Sequence, residues 1–236
     1  MVTNQMSVLF KQAVTTFTCK KEMLYSNLEI LKAVLDKTTS SDVDLHPQFM
    51  NNSLWTRPNK APVTYVDIYE NETLSMGIFI LKPGMKLPLH DHPQMYGLLK
   101  VIAGTIKITS FSLHTEKTTK FAIGKNCKHP SPEYPMTVIA ERNPDIIADS
   151  TSETCILEPD KGNLHEIESI GGPAAFIDIL APPYETEIPD YGPRKCTYFS
   201  IVKELAPQVF KLEEINSPSW FWNDVHPYTG LEIFGD

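Results

Sequence analysis

The sequence predicts a mainly β fold, a sandwich or closed barrel preceded by N-terminal helices. Three observations carry this. Short β-rich runs recur from about residue 61 onward, with turn residues between them. Helical spacing of apolar residues is confined to the first third of the chain. Proline makes up 19 of 236 residues, about 8%, against a usual ~5%, and such chain-breaking favours strands and turns over long helices.

In chain order, Ser7–Phe17 is a helix candidate. Leu28, Leu31 and Leu35 recur at helical spacing behind Ser26, a candidate N-cap, and predict a second helix. Ser40–Lys60 is polar, contains prolines and reads as a connecting segment. Thr64–Tyr69 and Thr73–Leu81 read as strands, the second ending at the Pro83–Gly84 turn signal. Gly97–Ile102, Ala103–Gly104 and Thr105–Leu113 predict a tight hairpin. Later strand candidates are Met136–Ala140, Thr154–Leu157, Leu164–Ile170, Ala174–Leu180 and Thr197–Val202. The segment from His114 to Ser152 has the weakest pattern and is expected to carry long loops.

A net charge of −8 disfavours a nucleic-acid partner, because such a surface repels phosphate backbones. No stretch is apolar for long enough to span a bilayer. Cys19, Cys127, Cys155 and Cys196 form no C-x-x-C pair and suggest no disulfide framework. A reducing, cytoplasmic location is expected, with a nuclear one compatible. Residues 1–21 hold three lysines and no acid but also no arginine, so mitochondrial import is disfavoured.

The chemistry-bearing run is Gly84 to His92 (GMKLPLHDH). Histidines at i and i+2 in a strand project to one face, so His90 and His92 can share a metal. His165, opening another strand after Gly162, is a third candidate. Imidazole ligands suit iron, zinc, copper or nickel, so the donors alone do not choose the metal. Asp91 between the two ligands points to the opposite face and reads as structural. Cys127 and His129 look metal-like in isolation but have no partner pair. His46, His114 and His226 read as surface residues. Trp220 and Trp222 are expected to pack the tail onto the barrel.

The pattern resembles the cupin superfamily. Gly84, His90, His92 and Gly104 match the first cupin motif, and Pro159, Gly162 and His165 match the second with one extra residue. The motif's glutamate position is Gly97. A three-histidine departure of this kind is what thiol dioxygenases show. The runs Leu157–Pro159, Asn163–His165, Gly172–Tyr184 (GPAAFIDILAPPY), Trp220–Trp222 and Pro227–Gly230 are similar to the cysteamine (2-aminoethanethiol) dioxygenase and plant cysteine oxidase family.

That resemblance implies a cupin double-stranded β-helix, a jelly-roll barrel, over residues 61–236, with 1–60 as a helical extension packed on it. It implies an Fe(2+)-dependent enzyme, a monomer, that oxidises a free-amine thiol to its sulfinic acid with dioxygen. The thiol belongs to cysteamine or to the N-terminal cysteine of a protein, and the second case implies an oxygen-sensing step in protein turnover. His90, His92 and His165 are the implied ligands. Asp178 would accept a hydrogen bond from the substrate amine or a ligand histidine, and Tyr184 would orient substrate or oxygen. Cys196 and Tyr198 have the spacing linked in the family to a thioether crosslink. The bland readings are a solvent-facing Asp178, a Tyr184 that only packs at its turn and a Cys196 that is a small buried hydrophobe. A non-catalytic metal-binding cupin or interaction module is the alternative for the whole chain, and a zinc or manganese isomerase on the same fold is a third option.

Overall fold

The structure is a computed structural model that describes residues 4–114 and 136–233. The Cys127 and His129 readings and part of the 114–152 segment lie outside the described residues.

Helix α1 (Gln5–Thr18) begins where the Asn4 side chain accepts a hydrogen bond from the Met6 amide at 3.0 Å, a standard N-cap. Helix α2 (Leu24–Leu35) begins two residues before Ser26, whose hydroxyl donates to the Met23 carbonyl at 2.9 Å. Ser26 is therefore not the cap: it sits in the first turn and back-bonds to the preceding turn. Met6, Leu9 and Ala13 of α1 and Leu28, Leu31 and Leu35 of α2 are buried at helical spacing. The connecting segment contains a short helix, α3 (Asn52–Trp55).

The strands are β1 (Val63–Glu70), β2 (Ser75–Leu81), β3 (Lys86–Asp91), β4 (Tyr96–Leu113), β5 (Thr137–Arg142), β6 (Ile146–Asp149), β7 (Cys155–Leu157), β8 (Leu164–Ala181), β9 (Glu187–Ile188), β10 (Gly192–Pro193), β11 (Tyr198–Ala206), β12 (Val209–Ile215) and β13 (Asn223–Val225). Following the pairings round, β8, β3, β11, β12, β5 and β4 close on one another, each pair antiparallel. This closed six-stranded antiparallel barrel has the mainly β, double-stranded β-helix architecture that the sequence led one to expect. Closure removes the sheet edges that would otherwise expose unpaired amides.

The hairpin expected at Ala103–Gly104 does not form. Both flanking runs belong to β4 and pair successively with β8, Tyr96–Ala103 against Ala175–Ala181 and Thr105–Phe111 against Leu164–Ile170. Gly104 has φ +71 and lies in a bulge, and a Cβ there would sit 2.2 Å from the Pro173 carbonyl oxygen. The glycine serves close approach of two bent strands, a role it fills as readily as a turn. Likewise the two candidates Leu164–Ile170 and Ala174–Leu180 are one strand bent at Gly171–Pro173. β12, which the sequence pattern did not announce, completes the barrel between β11 and β5.

One apolar cluster joins α1 and α2 to the strands: Leu9, Leu31 and Leu35 share it with Met76, Ile78 and Ile177. A second fills the barrel around Leu99, Ile106, Ile167 and Phe176, and a third lies around Leu89, Phe111, Leu164 and Leu212. Burying one such leucine contributes about 1.5–3 kcal/mol. Polar ties reinforce the seam. The Thr154 amide and hydroxyl both donate to Asp36 at the end of α2, at 2.6 and 2.7 Å.

Candidate metal centre

Strand β3 delivers the first candidate ligand, His90, through a bulge. Leu87 pairs with Ile167 and His90 with His165, so β3 carries an extra residue at Pro88–Leu89. Residues three apart normally face opposite ways. The bulge turns His90 to the same interior as Leu87, and both line one cavity,. Proline suits this position because it lacks the N–H a regular ladder needs. The Pro88 carbonyl meets His90 Nδ1 at 2.8 Å.

His92 follows just beyond β3. Its Nδ1 lies 3.1 Å from the Asn163 carbonyl. Carbonyls only accept, so His90 and His92 each carry their proton on Nδ1 and leave Nε2 for a metal. The Asn163 side chain also accepts from the His92 amide at 3.2 Å and donates to its carbonyl at 2.6 Å. Asn163 thus clasps the ligand from both sides. It escaped the reading of roles, although the Asn-Leu-His run was conspicuous.

The three imidazoles converge. Ring centroids are 4.7 Å apart for His90–His92, 4.9 Å for His90–His165 and 4.6 Å for His92–His165. One nitrogen from each lies within 4.8 Å of the others. Burial lowers the pKa of all three, most strongly at His92 and His165, where neighbouring imidazoles add to it. Lowered pKa keeps the rings neutral, the form that binds metal. Among the described residues this histidine group is the metal-capable cluster, and no carboxylate belongs to it. Gly97, at the expected glutamate position, explains why: a Cβ there would lie 2.8 Å from Leu157 Cγ and 3.1 Å from Leu180 Cδ2. The two leucines leave no room for a side chain at this position. The residues present therefore could hold a metal ion through three neutral donors.

A cavity of about 440 Å³ opens beside His90 and is lined also by Tyr65, Asp178, Tyr184, Cys196 and Tyr198. Asp178 faces this cavity from β8 rather than solvent, and burial raises its carboxyl to about 7. The Tyr184 hydroxyl donates to the Asp91 carbonyl at 2.6 Å, and its ring lies 5.7 Å from that of His92. It is more than a packing residue. Cys196 lies within hydrogen-bonding reach of both Tyr184 and Tyr198, and burial pushes its thiol up to about 11 and the Tyr198 phenol to about 12. Asp91 turns its carboxylate to the Thr197 amide at 2.8 Å, and burial lifts it to about 7. It ties the ligand strand to the segment bearing Cys196 and Tyr198. Arg194, also missed by sequence reasoning, is buried and donates to Thr186 and to the Pro93 carbonyl. It fastens the Tyr184–Cys196 segment to the chain just after His92.

His46 is exposed and His114 lies near Glu141, while His226 is half-buried against Phe49. Trp220 and Trp222 are 41% and 45% exposed. Phe221 between them, rather than either tryptophan, packs toward the barrel, 5.9 Å from Tyr198. Cys19, Cys155 and Cys196 are free thiols. Among the described residues no helix is long and apolar enough to cross a membrane.

The profile of the PCO_ADO family matches residues 34–233. The 2-aminoethanethiol dioxygenase of Mus musculus is 35% identical over 230 residues, spanning 88% of this chain and 85% of that protein. The protein of the same name from Homo sapiens is 34% identical over 226 residues, 88% of this chain and 82% of that one. Plant cysteine oxidase 2 of Arabidopsis thaliana is 33% identical over 175 residues, 73% of this chain and 56% of that one.

Proposed function

We propose, from the premise that this chain belongs to the PCO_ADO family and is a thiol dioxygenase, that it holds iron at His90, His92 and His165 and oxidises the N-terminal cysteine of a peptide or protein, or cysteamine, to the sulfinic acid. The convergence of three neutral imidazoles without a carboxylate is the observation that carries this reading. Iron bound there supplies a dipositive centre that favours thiolate over thiol and the redox chemistry toward dioxygen. Both oxygen atoms end on sulfur and the thiol supplies the four electrons, so no nicotinamide or flavin is required.

The chain's own residues bind and orient the thiol. Asp178, facing the cavity from the strand that also carries His165, accepts hydrogen bonds from the substrate ammonium. Tyr184, held by the Asp91 carbonyl, presents its phenol beside the ligand His92. Cys196 and Tyr198 are the candidate pair for a thioether crosslink. Fixing amine and sulfur together replaces chance encounter with one geometry.

Of the two substrates, the cavity volume favours a peptide. About 440 Å³ falls in the range of pockets that take drug-sized ligands, ~300–1,000 Å³, and exceeds what cysteamine fills. A peptide substrate makes the enzyme a reader of oxygen supply through protein turnover. We place it in the cytoplasm as a monomer, with residues 1–60 an extension of the catalytic domain at 61–236. The test is aerobic incubation of iron-loaded protein with a Cys-initiated peptide and with cysteamine, read by mass spectrometry. A gain of two oxygens on the thiol is expected. Unchanged thiol on both would overturn the reading, and turnover without oxygen would replace it with an isomerase.

A further inference from the structure

Tyr65 has no role in the chemistry so far, yet its side chain is placed with unusual constraint. It stands on β1 opposite Phe79 of β2, ring centroids 4.9 Å apart. Its phenol then leans along the sheet over Gly77. A Cβ built on Gly77 would lie 2.5 Å from the Tyr65 hydroxyl oxygen and 2.5 Å from Cε2. That distance is shorter than any real contact, so only glycine leaves the tyrosine this position. Gly77 in turn is the register partner of Asp178 on β8. Register partners have Cα atoms about 4.5–5.5 Å apart and side chains on one face. The phenol therefore ends beside the Asp178 carboxylate, and both line the cavity that holds His90. Burial, and after it the charges of Asp67, Asp178 and Glu70, raise the Tyr65 pKa, so its oxygen stays a neutral hydroxyl.

We infer that Tyr65, seated over Gly77 against Asp178, is the second half of the substrate's ammonium site. An ammonium has three N–H donors, and a single carboxylate leaves at least one of them for another acceptor. Asp178 supplies the charge. The Tyr65 oxygen accepts another N–H, and the adjoining faces of Tyr65 and Phe79 offer the aromatic surface that cations favour. Stacking of Phe79 on Phe176, centroids 5.4 Å apart, holds this wall rigid. Tyr65 thus selects thiols that carry a free amine, and it acts on substrate binding rather than on the metal. The inference rests on the proposed amine-thiol substrate.

The experiment measures binding to the iron-loaded full chain by calorimetry, using a Ser-initiated peptide as an unreactive stand-in for the Cys-initiated one, and its N-acetylated form. Tyr65→Phe keeps the ring and removes the acceptor. It is expected to weaken the free-amine peptide about tenfold, the scale of one lost hydrogen bond to a charged group, and to leave the N-acetyl peptide unchanged. KM for the Cys-initiated substrate should rise in parallel with kcat little changed. Gly77→Ala, which displaces the phenol, should reproduce the loss while retaining bound iron. Equal binding of the free-amine peptide by wild type and Tyr65→Phe overturns the inference, as does an equal loss for the acetylated peptide. If wild type oxidises no amine thiol at all, the functional reading fails instead, which is a separate outcome.

Discussion

His90 and His165 are register partners across β3 and β8, with ring centroids 4.9 Å apart. Two candidate ligands 75 positions apart in sequence meet because one antiparallel pair, bulged at Pro88–Leu89, sets them opposite each other. His165→Ala should therefore lose stoichiometric iron and thiol oxidation together, while the barrel still folds. Full iron content in this variant, measured by metal analysis, contradicts the assignment.

Asp178 should impose a pH dependence of calculable sign. Burial lifts its carboxyl from 3.8 to about 7. Between those values the folded protein keeps a proton that the unfolded chain has released, so stability falls as pH rises through that window. Asp178→Asn lacks this loss. Its melting temperature should exceed that of wild type near pH 8, with the gap closing toward pH 4. Binding of the ammonium requires the carboxylate, so KM for a Cys-initiated peptide should fall as pH rises through about 7. It should rise again as the peptide amine deprotonates, near ~8. A KM that ignores pH below 7 would count against Asp178 as the amine partner.

Asn163 clasps His92 through both its amide and its carbonyl. Removing a group that orients a ligand typically costs ~10–100-fold in metal affinity. Asn163→Ala should show a loss of that size in chelator competition, with the far-UV spectrum unchanged. Unaltered affinity would make the clasp dispensable.

Cys196 and Tyr198 lie within hydrogen-bonding reach of each other at the cavity wall. Aerobic incubation of the iron-loaded protein should remove two hydrogens from its mass as the thioether forms, with dioxygen as oxidant. Cys196→Ala should keep its mass. A fully titratable Cys196 thiol after prolonged turnover would exclude the crosslink.

Leu31 on α2 is fully buried in the cluster shared with Met76, Ile78 and Ile177. Leu31→Ala should destabilise the chain by about 2–5 kcal/mol. Because helices and barrel share that cluster, both should melt in a single transition. Two separated transitions would mark residues 1–60 as an independent unit.

The sequence by itself determined the helical first third, the β character from residue 61 and the joint face of His90 and His92. These depend on periods of 3.6 and 2 that act between near neighbours. His165 stood out as the residue that opens a later strand, the resemblance added Asp178 and Tyr184, and the structure sets both of these with His90 around one cavity. Tertiary structure alone decided the rest. Gly104 serves a turn or a bulge equally well in isolation, and only the bent partner at Gly171–Pro173 makes it a bulge. The strand containing Asp178 is apolar on both faces, so alternation did not say which way its carboxylate points. Pairing with β2 and β4 did. β12, Asn163, Arg194 and the placement of Tyr65 over Gly77 depend on partners far away in the chain, and no local period records those. Likewise, Leu157 and Leu180 leave no room for a side chain at position 97, a matter of packed volume. That is why a site whose first two histidines are legible in nine residues needed the closed barrel to become a three-histidine centre with a cavity lined by Asp178, Tyr184 and Tyr65 beside it.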